Sequence, residues 1–229
     1  MPKRFPVEGE LRDLRPGADI AVAGHCELRS IAIHNSSLRL PTSPERRFTV
    51  REVVLQQCQH WGCSAHGTLF EDISITDFRA GIGAPSFLWG CLYSRVILKG
   101  WISGLVFDWQ VDGADPALSR DFHAANLIGY RSVQCALDVC EARFASGTAL
   151  LGIPSALVER NPESQFVMTL AAARTIKAEA RGTTLWGQVA EQVVLSPLED
   201  TVVVVGGSGR KLKANLVEAR ELFDRGLLQ

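Results

Sequence analysis

The sequence predicts a mainly β chain: a right-handed, quadrilateral-type β-helix solenoid of about five to six coils with a small C-terminal α/β or helical appendage. Three observations point there. Apolar or small residues recur every five positions through much of the first two thirds of the chain. Short stretches rich in proline, glycine and charge interrupt that beat without ending it. After Gly152 the pattern changes to segments of helical character.

Residues 1–20 are polar and bounded by prolines. They are expected to cap the first coil, since an open stack exposes strand edges. Residues 21–152 carry the beat. It runs through Leu28, Ile33 and Leu38, then Phe48, Val53, Cys58 and Cys63, and keeps its phase at Thr68, Ile73 and Phe78. It restarts at Cys91, Val96, Trp101 and Val106, and continues at Phe122, Leu127, Val139 and Phe144. Neither a 3.6-residue nor a two-residue period gives this spacing. Four sides of five residues would make one square coil, and coils would stack at roughly 4.8 Å. The residue two before each beat position then also points inward and must be small, as Cys26, Ser36, Thr76, Ala125 and Ala142 are. The residue between them points outward and is free to be polar: Glu27, Ser37, Asp77, Asn126 and Arg143. A less regular register is also open, with the apolar triplets at Ile31, Val53, Ile73 and Val96 in successive coils. Residues 40–47, 81–86 and 111–121 interrupt the beat and are expected to be loops.

Thr76-Asp77-Phe78, Ala125-Asn126-Leu127 and Cys26-Glu27-Leu28 follow a pattern of a small residue, a polar one, then Leu or Phe. In this the chain resembles the pentapeptide-repeat proteins, over roughly residues 20–150. Lys99, at a small inward position, departs from the pattern. The resemblance implies a bacterial protein that protects a target or binds another protein.

Residues 153–229 form the appendage. A linker with two prolines leads to a helix beginning near Thr169 and stopping at Gly182. A second helix covers LWGQVAEQVVL, a strand covers residues 201–205, and a third helix ends at Gly226.

Composition narrows the functional classes. The 46% hydrophobic content is that of a chain with a sizeable core. A net charge of −1, with acids and bases mixed, gives no basic face for nucleic acid. No apolar run is long enough to span a membrane, and the first residues lack the apolar stretch of a signal peptide, so the expected location is the cytoplasm. Six cysteines without CxxC, and five histidines without a paired spacing, give no zinc signature. No cofactor motif is present. VVVVGGSGRK, residues 202–211, reads as strand, turn and helix, which suits an anion, but Leu212 follows Lys211 where a Walker motif needs Ser or Thr. His60 and His66 flank Cys63, yet Cys63 falls on the inward beat.

The leading expectation is a non-catalytic scaffold that binds another protein, and the resemblance implies most specifically a bacterial toxin-neutralising immunity protein, with a cognate toxin as partner, or a target-protecting protein. The partner-binding residues are Trp109, an aromatic beside the 111–121 segment, and the acids Asp112, Asp115 and Asp121 on it. Two alternatives compete. One is a carbohydrate-active enzyme using that acidic segment, with Asp108 included. The other is a nucleotide- or phosphate-binding regulatory module using the glycine turn at 206–211.

Overall fold

Val53, Ile73 and Val96 are Cα partners in consecutive parallel strands, and Leu28, Leu55, Ile75 and Leu98 form the adjacent column two residues on. Identical inward registers of β-branched and leucine side chains make these strands pair as they do. Each such side chain fully removed from water contributes about 1.5–3 kcal/mol. The computed structural model describes residues 9–12, 22–81, 85–179 and 184–229.

The main ladder runs Val22–Arg29, Thr49–Gln56, Leu69–Ala80, Leu92–Ile102, then Leu137–Asp138 and Val158–Glu159, all parallel. Ala142–Phe144 also pairs with Leu92–Ile102. Gly9–Arg12, Ile31–His34 and Gln59–Trp61 join this sheet at the far end of Leu69–Ala80. A separate parallel sheet holds Ser37–Leu38, Ser64–His66, Ser86–Trp89 and Leu105–Asp108. The first core lies between them, around Val53, Ile73, Phe78, Val96, Leu98 and Phe107.

Helix α1, Pro116–Tyr130, follows the last strand of the second sheet. The C-terminal region is built on an antiparallel sheet of Thr148–Ala149, Asp200–Val204 and Gln165–Thr169. Alternation sends Val202 and Val204 into the first core, and Val203 and Val205 into a second. That second core is closed by α2 (Leu170–Glu179), α3 (Leu185–Leu195) and α4 (Gly209–Asp224). Thr169 Oγ1 accepts from Ala172 N at 3.2 Å at the start of α2, and Thr184 caps α3 by accepting from Gly187 N at 3.2 Å. Gly226, with φ +72°, follows the end of α4.

The expected mainly β solenoid is corrected: the chain is mixed α/β, with a large parallel sheet, four helices and a small antiparallel sheet among the described residues. Two features overturn it. The beat at Phe122 and Leu127 belongs to no strand. Those residues lie in α1, whose buried positions Ser119, Phe122, Asn126 and Tyr130 keep helical spacing. The strands also reach 12 residues, as in Leu69–Ala80, where five-residue sides were expected. What the five-residue spacing marks is backbone bends. Glu52, Gln57, Gly62, Gly67, Asp72 and Asp77 all have φ between +53° and +57°. The triplet register needs its own correction, because Val53–Leu55 pairs with Cys26–Leu28 and not with the segment at Ile31. The 111–121 loop shrinks to a turn before α1. The expected cap lies largely outside the described residues, as do the centre of the 81–86 turn and the stop at Gly182.

Candidate functional site

The turn after Asp108 is organised by its own polar groups. Asp108 Oδ1 accepts from Gln110 N at 3.0 Å, and Ser119 Oγ accepts from Val111 N at 3.2 Å. Asp115 is the N-cap of α1, accepting from the amides of Ala117 and Leu118, with Pro116 in the first turn. The inner face of the helix is pinned by a buried polar network. Asn126 Nδ2 donates to the carbonyls of Gly90 at 3.0 Å and Cys91 at 3.2 Å, and its Oδ1 accepts from Arg47 Nη1 at 2.8 Å. The Arg47 guanidinium lies 5.5 Å from the centre of the Phe122 ring, and burial holds its pKa below the ordinary value. Phe122 in turn fits only against Gly67, where a Cβ would come within 2.3 Å of the ring.

The outer face of α1 is different. Ala117, Asp121 and Ala124 are exposed there, and Leu127 and Ile128 remain 39% and 63% exposed, flanked by Arg120 and Arg131. Of the residues singled out by sequence, Asp112, Asp115 and Asp121 are all exposed on this turn and helix. Asp112 also acts on His66, opposing the burial that lowers the histidine's pKa. Trp109 is half-buried: it packs on the second core and meets His123 edge-on at 5.9 Å. It therefore joins α1 to the C-terminal region. The apolar Leu127 and Ile128 were missed as surface residues because a five-residue reading sends Leu127 inward.

A cleft of about 250 Å³ lies between the end of the second sheet and α3. Asp108, Ser146, Thr148, Gln188 and Gln192 line it, the two glutamines one helical turn apart. Burial raises the Asp108 carboxyl. Asp108 is the one titratable side chain of that lining, whereas glycoside hydrolysis uses a pair of carboxyls. The cleft thus offers hydrogen bonds to a polar molecule more readily than acid–base chemistry. The nearby glycine turn has structural work of its own. Gly207 N donates to Phe144 O at 3.0 Å, and a Cβ on Gly206 would lie 2.0 Å from the Ser146 carbonyl carbon. Ser208 makes no side-chain cap, and Arg210 and Lys211 are exposed.

The His60–Cys63–His66 group is not brought together as a nucleophile and base. His60 is fully buried, stacks on Phe78 at 4.3 Å, and bonds Ser86 Oγ at 2.6 Å and Ser103 O at 2.9 Å. That pattern places its proton on Nε2, donating to the carbonyl, and burial lowers its pKa. The Cys63 thiol donates to the carbonyls of Ile33 and Trp61 at 3.5 Å. Cys91 is more inert still, its thiol pushed up to about 12 by burial. A cavity of about 420 Å³ runs through the first core, lined by apolar side chains from Leu28 to Leu137. The polar side chains on its wall are already bonded, His60 with Ser86, Ser37 with Ser64 and Ser36 to the His34 carbonyl, so it offers little to orient a ligand.

Asp138, Cys140 and Glu159 bring one potential ligand atom each to within 4.8 Å of one another. Glu159 also acts directly on the Cys135 thiol. Spacing alone hid this group, since Glu159 joins it only through strand pairing. Among the described residues no helix is long and apolar enough to cross a membrane. Comparison with family models, curated proteins and solved structures finds no match to this chain. Its function is read from geometry.

Proposed function

We propose that the chain is a binding module for another protein, which docks on the outer face of α1 and the turn before it. The observation that carries this reading is the exposure of Ile128 and Leu127 on a helix whose opposite face is locked by Arg47 and Asn126. A rigid helix holding apolar side chains in water, rimmed by charge, is the anatomy of a protein interface. The acids Asp112, Asp115 and Asp121 occupy its N-terminal half, so the partner carries a basic group beside an apolar knob. Trp109 supports the helix from below instead of serving as the anchor. The immunity reading drew on the solenoid resemblance and loses that support. A protein partner of the stated chemistry does not depend on it.

The test uses two variants of matched chemistry. A partner recovered with the intact chain should bind one to one, and Ile128→Asp should weaken that binding at least about 30-fold, by about 2 kcal/mol. Phe223→Asp, which alters a 50% exposed aromatic on α4, should leave it unchanged. Equal losses in both variants, or none in Ile128→Asp, would sink the assignment of α1 as the docking face.

A further inference from the structure

We propose that Asp138, Cys140 and Glu159, with the Cys135 thiol beside Glu159, bind a single thiophilic divalent cation of the zinc class. The backbone holds these groups in place before any ion arrives. Asp138 and Glu159 are Cα partners in a parallel ladder, so their side chains leave the same face of the sheet. Cys140 is folded back over Asp138 by the bond from its own amide to Asp138 Oδ1 at 2.9 Å. The segment is fixed on both sides. Val139 N donates to Glu159 O at 2.9 Å, Ala136 N to Leu157 O at 2.8 Å, and Val96 N to Ala136 O at 3.1 Å. Gln165, fully buried, donates from Nε2 to Val139 O at 2.8 Å and stops the turn from opening.

The donor set selects the ion. Zinc binds thiolate sulfur at about 2.3 Å and carboxylate oxygen at about 2.0–2.2 Å in a tetrahedral shell. Three of the four ligand atoms, those of Asp138, Cys140 and Glu159, already lie within 4.8 Å of one another, and the Cys135 thiol interacts with Glu159. Two thiols favour zinc and its chemical relatives over magnesium or calcium, which take oxygen ligands. Charge favours a cation as well. Asp138, Glu141 and Glu159 are three acids in this segment and the strand paired with it, and Lys99 lies 2.9 Å from Glu141. Cys140 and Glu159 are exposed, so an ion has a path in. Binding forms two sulfur–metal bonds and releases the two thiol protons to solvent, with no change of oxidation state.

Cobalt(II) titrated into the reduced chain is the direct probe. One equivalent should bind and produce a thiolate-to-cobalt charge-transfer absorption, which zinc then abolishes by displacement. Cys140→Ser and Glu159→Gln, both at exposed positions, should each weaken the apparent cobalt affinity by about 10-fold or more. Cys63→Ser, remote from the group, should not. The proposal is overturned if no thiolate band appears. It fails equally if Cys140→Ser binds with undiminished affinity, or if magnesium or calcium displaces cobalt at matched concentration.

Discussion

At the scale of single residues, neighbours in sequence carry unlike tasks. Phe78 is buried and stacks on His60, so Phe78→Asp should bury an unpaired charge and destabilise the fold by about 3 kcal/mol or more in urea denaturation. Asp77 beside it was expected to point outward and to be replaceable. Instead its Oδ1 accepts from Trp101 N at 2.8 Å, and its backbone sits at φ +53°. Asp77→Ala should therefore cost about 1–2 kcal/mol, through a lost bond and a left-handed conformation that alanine resists. Asp77→Asn, which keeps an acceptor and tolerates that conformation, should cost clearly less. Equal losses would remove the backbone part of the explanation. His60 adds a pH dependence. Burial lowers its folded pKa below the unfolded value of about 6.5, so below that pH the unfolded chain binds the extra proton and stability falls. The melting temperature should drop between about pH 7.5 and about pH 5, and drop less in His60→Gln. A variant with the same slope as the parent would exclude His60 as the source. The burial of Phe78 was legible, because it falls on the five-residue beat; that of His60 was not, because it lies two residues after Cys58, where that spacing assigns no inward position. The hydrogen bond of Asp77 was not, because its partner is 24 residues away and is a backbone amide.

At the scale of elements, legibility followed the strength of the local signal. The C-terminal helices and the strand expected at 201–205 and found at Asp200–Val204 were read closely, since capping residues and valine runs speak for themselves. α1 was not, although Asp115-Pro116 is a sound N-terminal signal. Phe122 and Leu127 happen to be five apart, and a period established upstream was carried through them. The acidic turn before the helix was legible as an interruption. The exposure of Leu127 and Ile128 was not, because it follows from which face Asn126 turns inward. That residue gives the element its own prediction. Asn126→Ala would leave the Arg47 guanidinium and the Gly90 and Cys91 carbonyls short of a partner, and should destabilise by about 2–3 kcal/mol. In the Arg47→Met background the same change should cost less, because fewer buried groups are stranded. A strictly additive double-mutant cycle would show that the two side chains do not act as one network.

At the scale of the whole molecule, the question is whether two cores make two folding units. The sequence divides at residue 152, where texture changes, and suggests only that the C-terminal part packs against the end of the first. The structure joins them through two sheets. Thr148 and Ala149 pair with Val204 and Val203, Leu150 N donates to Val202 O at 2.9 Å, and Val158–Glu159 extends the parallel ladder through Leu137–Asp138. Val202 and Val204 fill the first core while Val203 fills the second, so one strand lines both. Neither core is complete without it. A single substitution there should be felt by both: Val203→Asp, with its side chain fully buried among the helices, should abolish or sharply lower one cooperative transition seen alike by circular dichroism and by protection of the upstream ladder amides. A chain ending at residue 152 should likewise show no cooperative melt, having lost the strand that packs with Phe107 and Leu150 in the first core. If the ladder amides of Thr49–Gln56 and Leu69–Ala80 stay protected in Val203→Asp while the C-terminal helices exchange freely, the cores are separable and the joint at Val202–Val205 carries less of the fold than its position implies.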